Sequence, residues 1–342
     1  MTASLTQRTP RFVILVFVGL LAAGCASRDH AGGQHVRLAI GGQNQLVYLP
    51  TTLARELGFY KEEGLDVELQ DHAGGAKALQ SLIGGSSDVV SGFYDHTIQM
   101  AAEGREFVAF VAMLRFPGLV LVTSPKGAAS VTKIEELKGR IAGVTAAGSS
   151  SQMLLTYMLQ RHGIAAGAVS ITPVGSAATA IAAIEHGQVD AAMVADPAFT
   201  ILTRRNPTVR VLADLRTAAG VKEALGADTY PSSVLYSKTD WVRANRDTAI
   251  KLSRAILRTL QWMHAHSPQE IADKTPTSFR GEDDALYVEA VKNSMPMFSP
   301  DGLMDAAGAQ AVRTLLAGSM EKVRTTQIDL SKTYTNEFIN GR

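Results

Sequence analysis

The sequence predicts an α/β fold, because strand–turn–helix units repeat along most of its length. The clearest unit lies between Leu137 and Gly163, where a short strand at Arg140–Thr145 runs into a turn at residues 146–148. A helix begins near Ser149, and apolar residues then recur at helical spacing. Units of the same kind on both sides of this one indicate a largely parallel sheet with helices packed against it.

The first series of units covers residues 36–113 and is punctuated by glycines. Gly41 and Gly42 follow the first strand, and Gly74 and Gly75 open a helix. The alternation of apolar and acidic residues in LDVEL is typical of a half-exposed strand. The predicted strands are Val36–Ile40, Leu65–Leu69, Asp88–Ser91 and Phe107–Met113, and the predicted helices are Leu46–Leu57, Ala76–Ile83 and Tyr94–Ala102.

A second series begins near Leu119, and the chain becomes mainly helical after it ends. Asp196 and Pro197 end a strand and begin a helix, since proline is tolerated in a first helical turn. Further strands are predicted at residues 119–124, 169–173, 189–194, 209–213 and 233–236, and further helices at residues 133–137, 177–186, 245–264, 270–274, 284–294 and 304–316.

The first 24 residues have the pattern of a signal peptide. Arg8 and Arg11 precede an apolar run at Phe12–Leu21, and small residues then lead to Cys25, the only cysteine in the sequence. The stretch LAAGC resembles the lipobox of bacterial lipoproteins, although its leucine lies one position earlier than usual. We therefore expect lipidation at Cys25, with ordinary secretion as the alternative, and a short tether at residues 25–35.

Composition narrows the class of protein. The chain has 342 residues, of which 46% are hydrophobic and 19% are charged, so it can bury one large core or two smaller ones. Removal of the two signal-peptide arginines leaves 31 basic and 32 acidic residues, a net charge of −1. This balance is too acidic for a nucleic-acid-binding protein. We expect a monomer.

Four stretches together resemble one family of proteins. They are YLPTTLARELGFYKEEGLDVEL (48–69), GGAKALQSLIGGSSDV (74–89), IEELKGRIAGVTAAGSSS (134–151) and AIAAIEHGQVDAAMVADP (180–197). They are similar to the nitrate/sulfonate/taurine and thiamine-precursor group of periplasmic substrate-binding proteins, which serve ABC importers. The resemblance covers roughly residues 36–340.

This resemblance implies a type II periplasmic-binding-protein fold, with a ligand cleft between two α/β lobes joined by two crossovers. Lobe one would comprise residues 36–116 and 232–342, and lobe two residues 117–231. The crossings would lie near Arg115–Gly118 and Tyr230–Ser232, and each contains a proline. The two series of strand–helix units agree with this division.

The candidate ligand contacts follow the predicted strands, because ligands of open α/β sheets bind at the carboxyl ends of strands. Tyr230 at the second crossing is a further candidate for the cleft wall. The predicted ligand-binding residues are Gln43, Asn44, Gly74, Gly75, Tyr94, Asp95, His96, Ser149, Ser150, Ser151, Asp196 and Pro197. No metal site is visible, since further ligands at a defined spacing are lacking.

Simpler interpretations remain for several of these residues. One of the serines near Ser149, and equally Asp95 or Asp196, could serve only as a helix N-cap. The class of ligand is also open. Helix starts at Ser149 and Gly75 suit a sulfonate or nitrate, whereas Asp95 and Asp196 would repel an anion and suit an aminopyrimidine or another nitrogenous ring.

The expected function is therefore capture of a small polar solute by a lipid-anchored protein on the periplasmic side of a bacterial membrane. Its expected partners are an ABC permease and ATPase, and no cofactor is expected. An enzyme is the first alternative, since the fold family includes a thiamine-pyrimidine synthase with a cysteine cluster and iron; this chain has only Cys25 and lacks GxSxG, HExxH and CxxC motifs. The second alternative is a ligand-sensing domain.

Overall fold

The computed structural model describes Thr2, residues 33–281 and residues 283–339. Ten strands lie in these ranges. They are β1 (Gln34–Ile40), β2 (Leu65–Asp71), β3 (Val89–Phe93), β4 (Phe107–Ala112), β5 (Leu119–Thr123), β6 (Ile141–Val144), β7 (Ser170–Pro173), β8 (Ala191–Ala195), β9 (Val211–Asp214) and β10 (Ser233–Lys238).

Fifteen α-helices lie in the same ranges, in addition to short 3₁₀ turns. They are α1 (Leu49–Glu56), α2 (Phe59–Glu62), α3 (Gly75–Gly84), α4 (Asp95–Ala102), α5 (Ser150–Arg161), α6 (Ala177–Glu185), α7 (Ala198–Arg205), α8 (Ala218–Leu225), α9 (Thr239–Ala244), α10 (Arg246–Ala265), α11 (Pro268–Lys274), α12 (Thr277–Arg280), α13 (Asp284–Ser294), α14 (Ala306–Ser319) and α15 (Glu321–Thr325).

The strands form two five-stranded sheets, which confirms the predicted two-lobe α/β fold. Sheet one has the order β2-β1-β3-β10-β4, and sheet two has the order β7-β6-β8-β5-β9. We call the halves built on these sheets lobe one and lobe two. The described residues from 33 onward form a single compact unit, so the two lobes pack against each other. The exact lobe boundaries stay a prediction.

Both sheets are mixed: four of the five strands in each run in the same direction, as the prediction of a largely parallel sheet requires, and one runs against them. In lobe one, β10 runs antiparallel to β3 and β4. In lobe two, β5 runs antiparallel to β8 and β9. These two strands are the first that the chain forms after it crosses between lobes. A strand that enters a sheet from the other lobe starts at the edge that faces that lobe, and it therefore runs opposite to its neighbours.

The two crossovers lie side by side and are hydrogen-bonded to each other. The backbone N–H of Tyr230 donates to the carbonyl of Arg115 at 3.1 Å, and that of Ser232 donates to the carbonyl of Leu114 at 3.1 Å. The Ser232 hydroxyl also donates to the carbonyl of Phe116 at 2.6 Å. The lobes are thus joined by a two-stranded connection near the predicted crossings.

The C-terminal helices contact both lobes. Helix α13 packs against α7 of lobe two, and α14 packs against both α4 and α5. Helix α8 was not predicted, and the predicted helix at residues 245–264 is preceded in the structure by a separate helix α9, which meets α10 at Asn245. The polar amide of Asn245 bonds to the carbonyl of Trp241 at 2.9 Å and marks this break.

The expectations for the N-terminus lie largely outside the described residues. These are the signal peptide at residues 1–24, lipidation at Cys25 and most of the tether. Strand β1 begins at Gln34, two residues before the predicted start at Val36. Within the described ranges, no helix is both long enough and apolar enough to cross a membrane.

Candidate functional site

A small cavity of about 20 Å³ lies between the lobes, at the edge where strands of both sheets end. Lobe one lines it with Gly41, Gln45, Val47, Tyr48, Gly75 and Phe93, and lobe two lines it with Leu119, Thr145, Ser149, Ser150 and Ser151. This volume accommodates about one water molecule. An organic solute can therefore enter only if the lobes move apart.

Asp95 links the lobes at this cavity. Asp95 is the first residue of helix α4 and is separated from β3 only by Tyr94, and its side chain is fully buried. The hydroxyl of Ser150, at the start of α5 in lobe two, donates a hydrogen bond of 2.8 Å to Asp95 Oδ1. Two residues predicted from separate parts of the sequence are thus in direct contact across the cleft.

The imidazole of His96 lies beside Asp95 among buried tyrosines. Its Nδ1 is 3.1 Å from the hydroxyl of Tyr236, and its Nε2 is 4.0 Å from Asp95 Oδ1. A β-carbon added to Gly75 would lie 3.1 Å from His96 Cε1 and 3.8 Å from the Tyr48 hydroxyl. Gly75 lines the cavity, and a side chain at this position would press against the edge of the His96 imidazole.

Three polar atoms of this group have no hydrogen-bond partner among the described residues. They are Asp95 Oδ2, His96 Nε2 and the hydroxyl of Tyr230, and all three side chains are fully buried. A buried polar group without a partner costs about 1–3 kcal/mol, and such groups are rare in folded proteins. His96 and Tyr230 lie close to Asp95, which is bonded to the cavity-lining Ser150, and this group is the strongest sign of a ligand site in the described part of the chain.

Burial sets the charge state of the group. Removal from water raises the pKa of Asp95 above its ordinary value of 3.8, against the weaker opposing effects of His96 and the Ser150 hydroxyl. Burial likewise lowers the pKa of His96, and the charge of Asp95 offsets this only in part. The pKa values of Tyr230 and Tyr236 are raised chiefly by burial, with a further contribution from the nearby Asp95. The imidazole and the phenols are consequently neutral near pH 7.

The hydroxyls at the start of α5 donate within the protein. Ser149 Oγ donates to the carbonyl of Ala146 at 2.7 Å, and Ser150 donates to Asp95. Ser151 Oγ lies 2.9 Å from Thr145 Oγ1 and 2.8 Å from Ser149 Oγ, and it accepts from the Thr145 N–H at 3.0 Å. The three serines line the cavity, but their hydroxyl protons are already engaged in hydrogen bonds within the protein, and ligand contact by them stays a prediction.

A known protein family accounts for most of this chain. The profile of the family described as NMT1/THI5 like matches residues 45–271, more than half of the chain. The chain belongs to the NMT1/THI5-like family. A solved protein from Bordetella bronchiseptica RB50 is 37% identical to it, with a TM-score of 0.85 over 90% of this chain and 96% of that one.

Two more distant structures show the same fold. The alkanesulfonate-binding protein SsuA from Xanthomonas axonopodis pv. citri, solved with bound MOPS, is 16% identical, with a TM-score of 0.69 over 90% of this chain and 99% of that one. The periplasmic nitrate-binding protein NrtA from Synechocystis PCC 6803 is 15% identical, with a TM-score of 0.71 over 90% and 87%. The resemblance to this group of periplasmic binding proteins is thereby confirmed.

Other predicted contacts of this NMT1/THI5-like chain are not among the residues that line the cavity. Gln43 donates from its side chain to Thr52 at 3.2 Å. Asn44 lines a separate groove of about 680 Å³ together with Pro197. Gly74 caps the start of α3 at φ 133°, where a side chain would be strained and would meet Ala146 at 3.1 Å.

Tyr94 and Asp196 also use their side chains elsewhere. The Tyr94 hydroxyl lies 2.5 Å from Thr333 Oγ1, and its ring packs edge-on against Tyr334 in the C-terminal tail. Both carboxylate oxygens of Asp196 are hydrogen-bonded, to Thr200, Arg216 and Ser294. Of the predicted contacts, the structure therefore brings together Gly75, Asp95, His96 and the serines at 149–151.

The sequence analysis did not predict a role at the site for Tyr48, Tyr236 or Arg216. Tyr48 lies at the end of the loop after β1, and in this loop the polar residues Gln43 and Asn44 were predicted as contacts instead. Tyr236 lies in β10, and only the pairing of β10 with β3 brings its hydroxyl to His96. A position inside a predicted strand gives no sequence signal for such a role.

The arrangement around Ser150 differs from that of a serine nucleophile. Its hydroxyl donates to a carboxylate, whereas a catalytic serine donates to a general base such as histidine. Within the described ranges, no group of three His, Cys, Asp or Glu side chains is placed to hold a metal ion. The geometry is suited to holding a polar ligand.

Proposed function

We propose that this chain is the substrate-binding protein of an ABC import system, which captures a small polar solute between its lobes and delivers it to a membrane permease. The observation that carries the proposal is the group of unpartnered buried atoms on Asp95, His96 and Tyr230 near the interlobe cavity. Closure of two lobes around a ligand would satisfy these atoms. Micromolar affinity needs only about −8 kcal/mol, which several such hydrogen bonds supply.

The balance of donors and acceptors favours one class of ligand. Asp95 Oδ2 can accept a hydrogen bond, and His96 and Tyr230 can donate or accept. No Lys or Arg is among the described residues that line the cavity, and the serine hydroxyls donate elsewhere. These features favour a neutral nitrogenous solute such as an aminopyrimidine, which brings its own N–H donors, over a sulfonate, taurine or nitrate.

A thermal-shift panel on the full chain tests the binding function. Sulfonates, nitrate, aminopyrimidines and aromatic carboxylates are each added, and a true ligand at 100 times its dissociation constant should stabilise the protein by about 2.7 kcal/mol. Small-angle scattering should show a changed radius of gyration with the same ligand. A panel in which no compound shifts the melting temperature would contradict the proposal.

Two glycines of α3 supply a matched pair of variants for this panel. In Gly75→Ala, the new methyl group lies 3.1 Å from His96 Cε1, so the ligand-induced shift should fall sharply. In Gly84→Ala, nothing lies within 4 Å of the new methyl group, so the shift should be retained. Equal shifts in both variants would place the ligand outside this cavity.

We propose that the protein is held on the periplasmic side of a bacterial membrane by a lipid on Cys25. The support is the single cysteine after a signal-like segment. The variant Cys25→Ser should appear in the soluble periplasmic fraction or accumulate as uncleaved precursor. Fractionation followed by intact-mass measurement detects either result, and membrane partitioning that survives the substitution would exclude lipid anchoring.

A further inference from the structure

We infer that Asp196 is a latch for lobe closure, and that Ser294 and Arg216 are positioning residues that act on the ligand through it. The role of the latch in ligand binding rests on the proposed function. It differs from the prediction that Asp196 touches ligand. The latch consists of Asp196, Leu46, Ser294 and Arg216.

Asp196 connects lobe two to two other segments of the fold. It directly follows β8, and its backbone carbonyl accepts a hydrogen bond of 2.8 Å from the N–H of Leu46, which follows β1 in lobe one. Its Oδ2 accepts a second bond, of 3.1 Å, from the hydroxyl of Ser294 at the end of α13. Asp196 and Ser294 are almost completely buried, so water competes little for these bonds.

The segment after Ser294 is tied to lobe one. The N–H of Arg115 donates to the carbonyl of Met297 at 2.9 Å, and the N–H of Ser299 donates to the carbonyl of Met113 at 2.7 Å, just beyond the end of β4. Opening of the cleft about the crossovers would break the bond of Asp196 to Leu46, and it would also break the bond to Ser294 where the end of α13 keeps these ties to lobe one.

Arg216 holds the carboxylate of Asp196 in position. Its Nη1 donates to Asp196 Oδ2 at 2.8 Å, while its Nε and Nη2 donate to Asp214 at 2.9 and 2.6 Å. The guanidinium also lies over the ring of Phe199, with Cζ 4.4 Å from the ring centroid. These contacts fix the guanidinium within lobe two. The guanidinium in turn holds the Asp196 carboxylate in the position in which it accepts from Ser294.

The latch is coupled to the cavity through one residue. Gln45 precedes Leu46 and lines the cavity, and its side chain donates to the carbonyl of Gly41 at 2.9 Å. Release of Leu46 from Asp196 would therefore move the cavity wall. A contact present only in the closed form shifts the equilibrium between open and closed forms, and through it the apparent affinity for ligand.

Hydrogen exchange at Leu46 measures the latch directly and needs no ligand. In Ser294→Ala, the bond to a charged carboxylate is lost, so the Leu46 amide should exchange about tenfold faster than in the parent protein. The control is Ser253→Ala. Ser253 is equally buried, but its hydroxyl bonds only to Ala249 and Phe110 among the described residues, so exchange at Leu46 should stay at the parental rate.

Small-angle scattering completes the test. Ser294→Ala should also show a larger radius of gyration than the parent, whereas Ser253→Ala should not. Unchanged exchange at Leu46 in Ser294→Ala would overturn the latch, and so would an equal rise in both variants, since that would reflect general destabilisation. If no compound in the thermal-shift panel binds, that outcome contradicts the proposed binding function alone. The hydrogen-exchange result for the latch would still stand.

Discussion

Replacement of Asp95 by asparagine should weaken the binding of an N–H-donating solute by about 1.5–3 kcal/mol, the range for hydrogen bonds to charged groups. The carboxylate is fully buried, and its Oδ2 has no partner among the described residues. The variant would present a neutral amide where the ligand needs a charged acceptor. Titration calorimetry on the parent and the variant measures the difference.

The same variant separates the two ligand classes. An anionic ligand should bind Asp95→Asn as well as the parent or better, because the substitution removes a like charge. The N-cap interpretation of Asp95 is wrong, because the N-cap of α4 is Tyr94 and Asp95 is the first helical residue. Asp95→Ala therefore serves as a second variant that lacks the carboxylate. Unchanged affinity in both variants would show that Asp95 does not contact the ligand. Asp66→Asn, at an exposed position in β2, serves as the control.

The pH dependence of binding provides a second readout of Asp95. Its pKa is raised above 3.8 by burial, so the acceptor form is lost as the pH falls through that raised pKa. A ligand whose own charge is constant over this range should therefore bind more weakly at lower pH. In Asp95→Asn this dependence should disappear, and its persistence would assign the titration to another group.

Replacement of Arg216 by alanine should destabilise the protein by about 3–5 kcal/mol, the cost of removing one partner from a buried ion pair. The side chain of Arg216 is 10% exposed and that of Asp196 is 1% exposed. The variant leaves the Asp196 carboxylate buried without its cation. Urea unfolding followed by circular dichroism gives the loss in free energy.

Arg204→Ala is the matched control for this measurement. Arg204 also pairs with a carboxylate, that of Glu289, but the two side chains are 60% and 34% exposed. Exposed pairs contribute about 0–1 kcal/mol, so the control should unfold close to the parent. A similarly small loss in Arg216→Ala would mean that water reaches Asp196 and that the pair is not effectively buried.

Periodicity and glycine placement were sufficient to predict most of the fold. The strands and helices of both series follow directly from short apolar runs and the turns between them, as at α5 after Gly148. The directions of β5 and β10 did not follow, because they depend on the point at which the chain enters each sheet. Helix α8 was missed because its short AAGVKEAL stretch carries little periodic signal.

The site was predictable in part. Asp95, His96 and the serines follow strands, and strand ends meet at the cleft in this fold, so position along the chain was informative. Which of these side chains face the cavity depends on partners far away in the sequence. Tyr94 is hydrogen-bonded to Thr333, and Asp196 is hydrogen-bonded to Arg216. The sequence around these partners contains no local pattern that predicts either contact.

Sheet one cannot be completed until the ribosome has passed residue 238, because β10 lies between β3 and β4, which come more than 120 residues earlier. Sheet two is continuous in sequence from β5 to β9 and depends on no later strand. Because non-local strand pairings form slowly, lobe two should fold first. The edges of β3 and β4 that pair with β10 remain unpaired during this time. Such edges invite aggregation, so lobe one remains exposed to incorrect strand pairing until β10 has been synthesised.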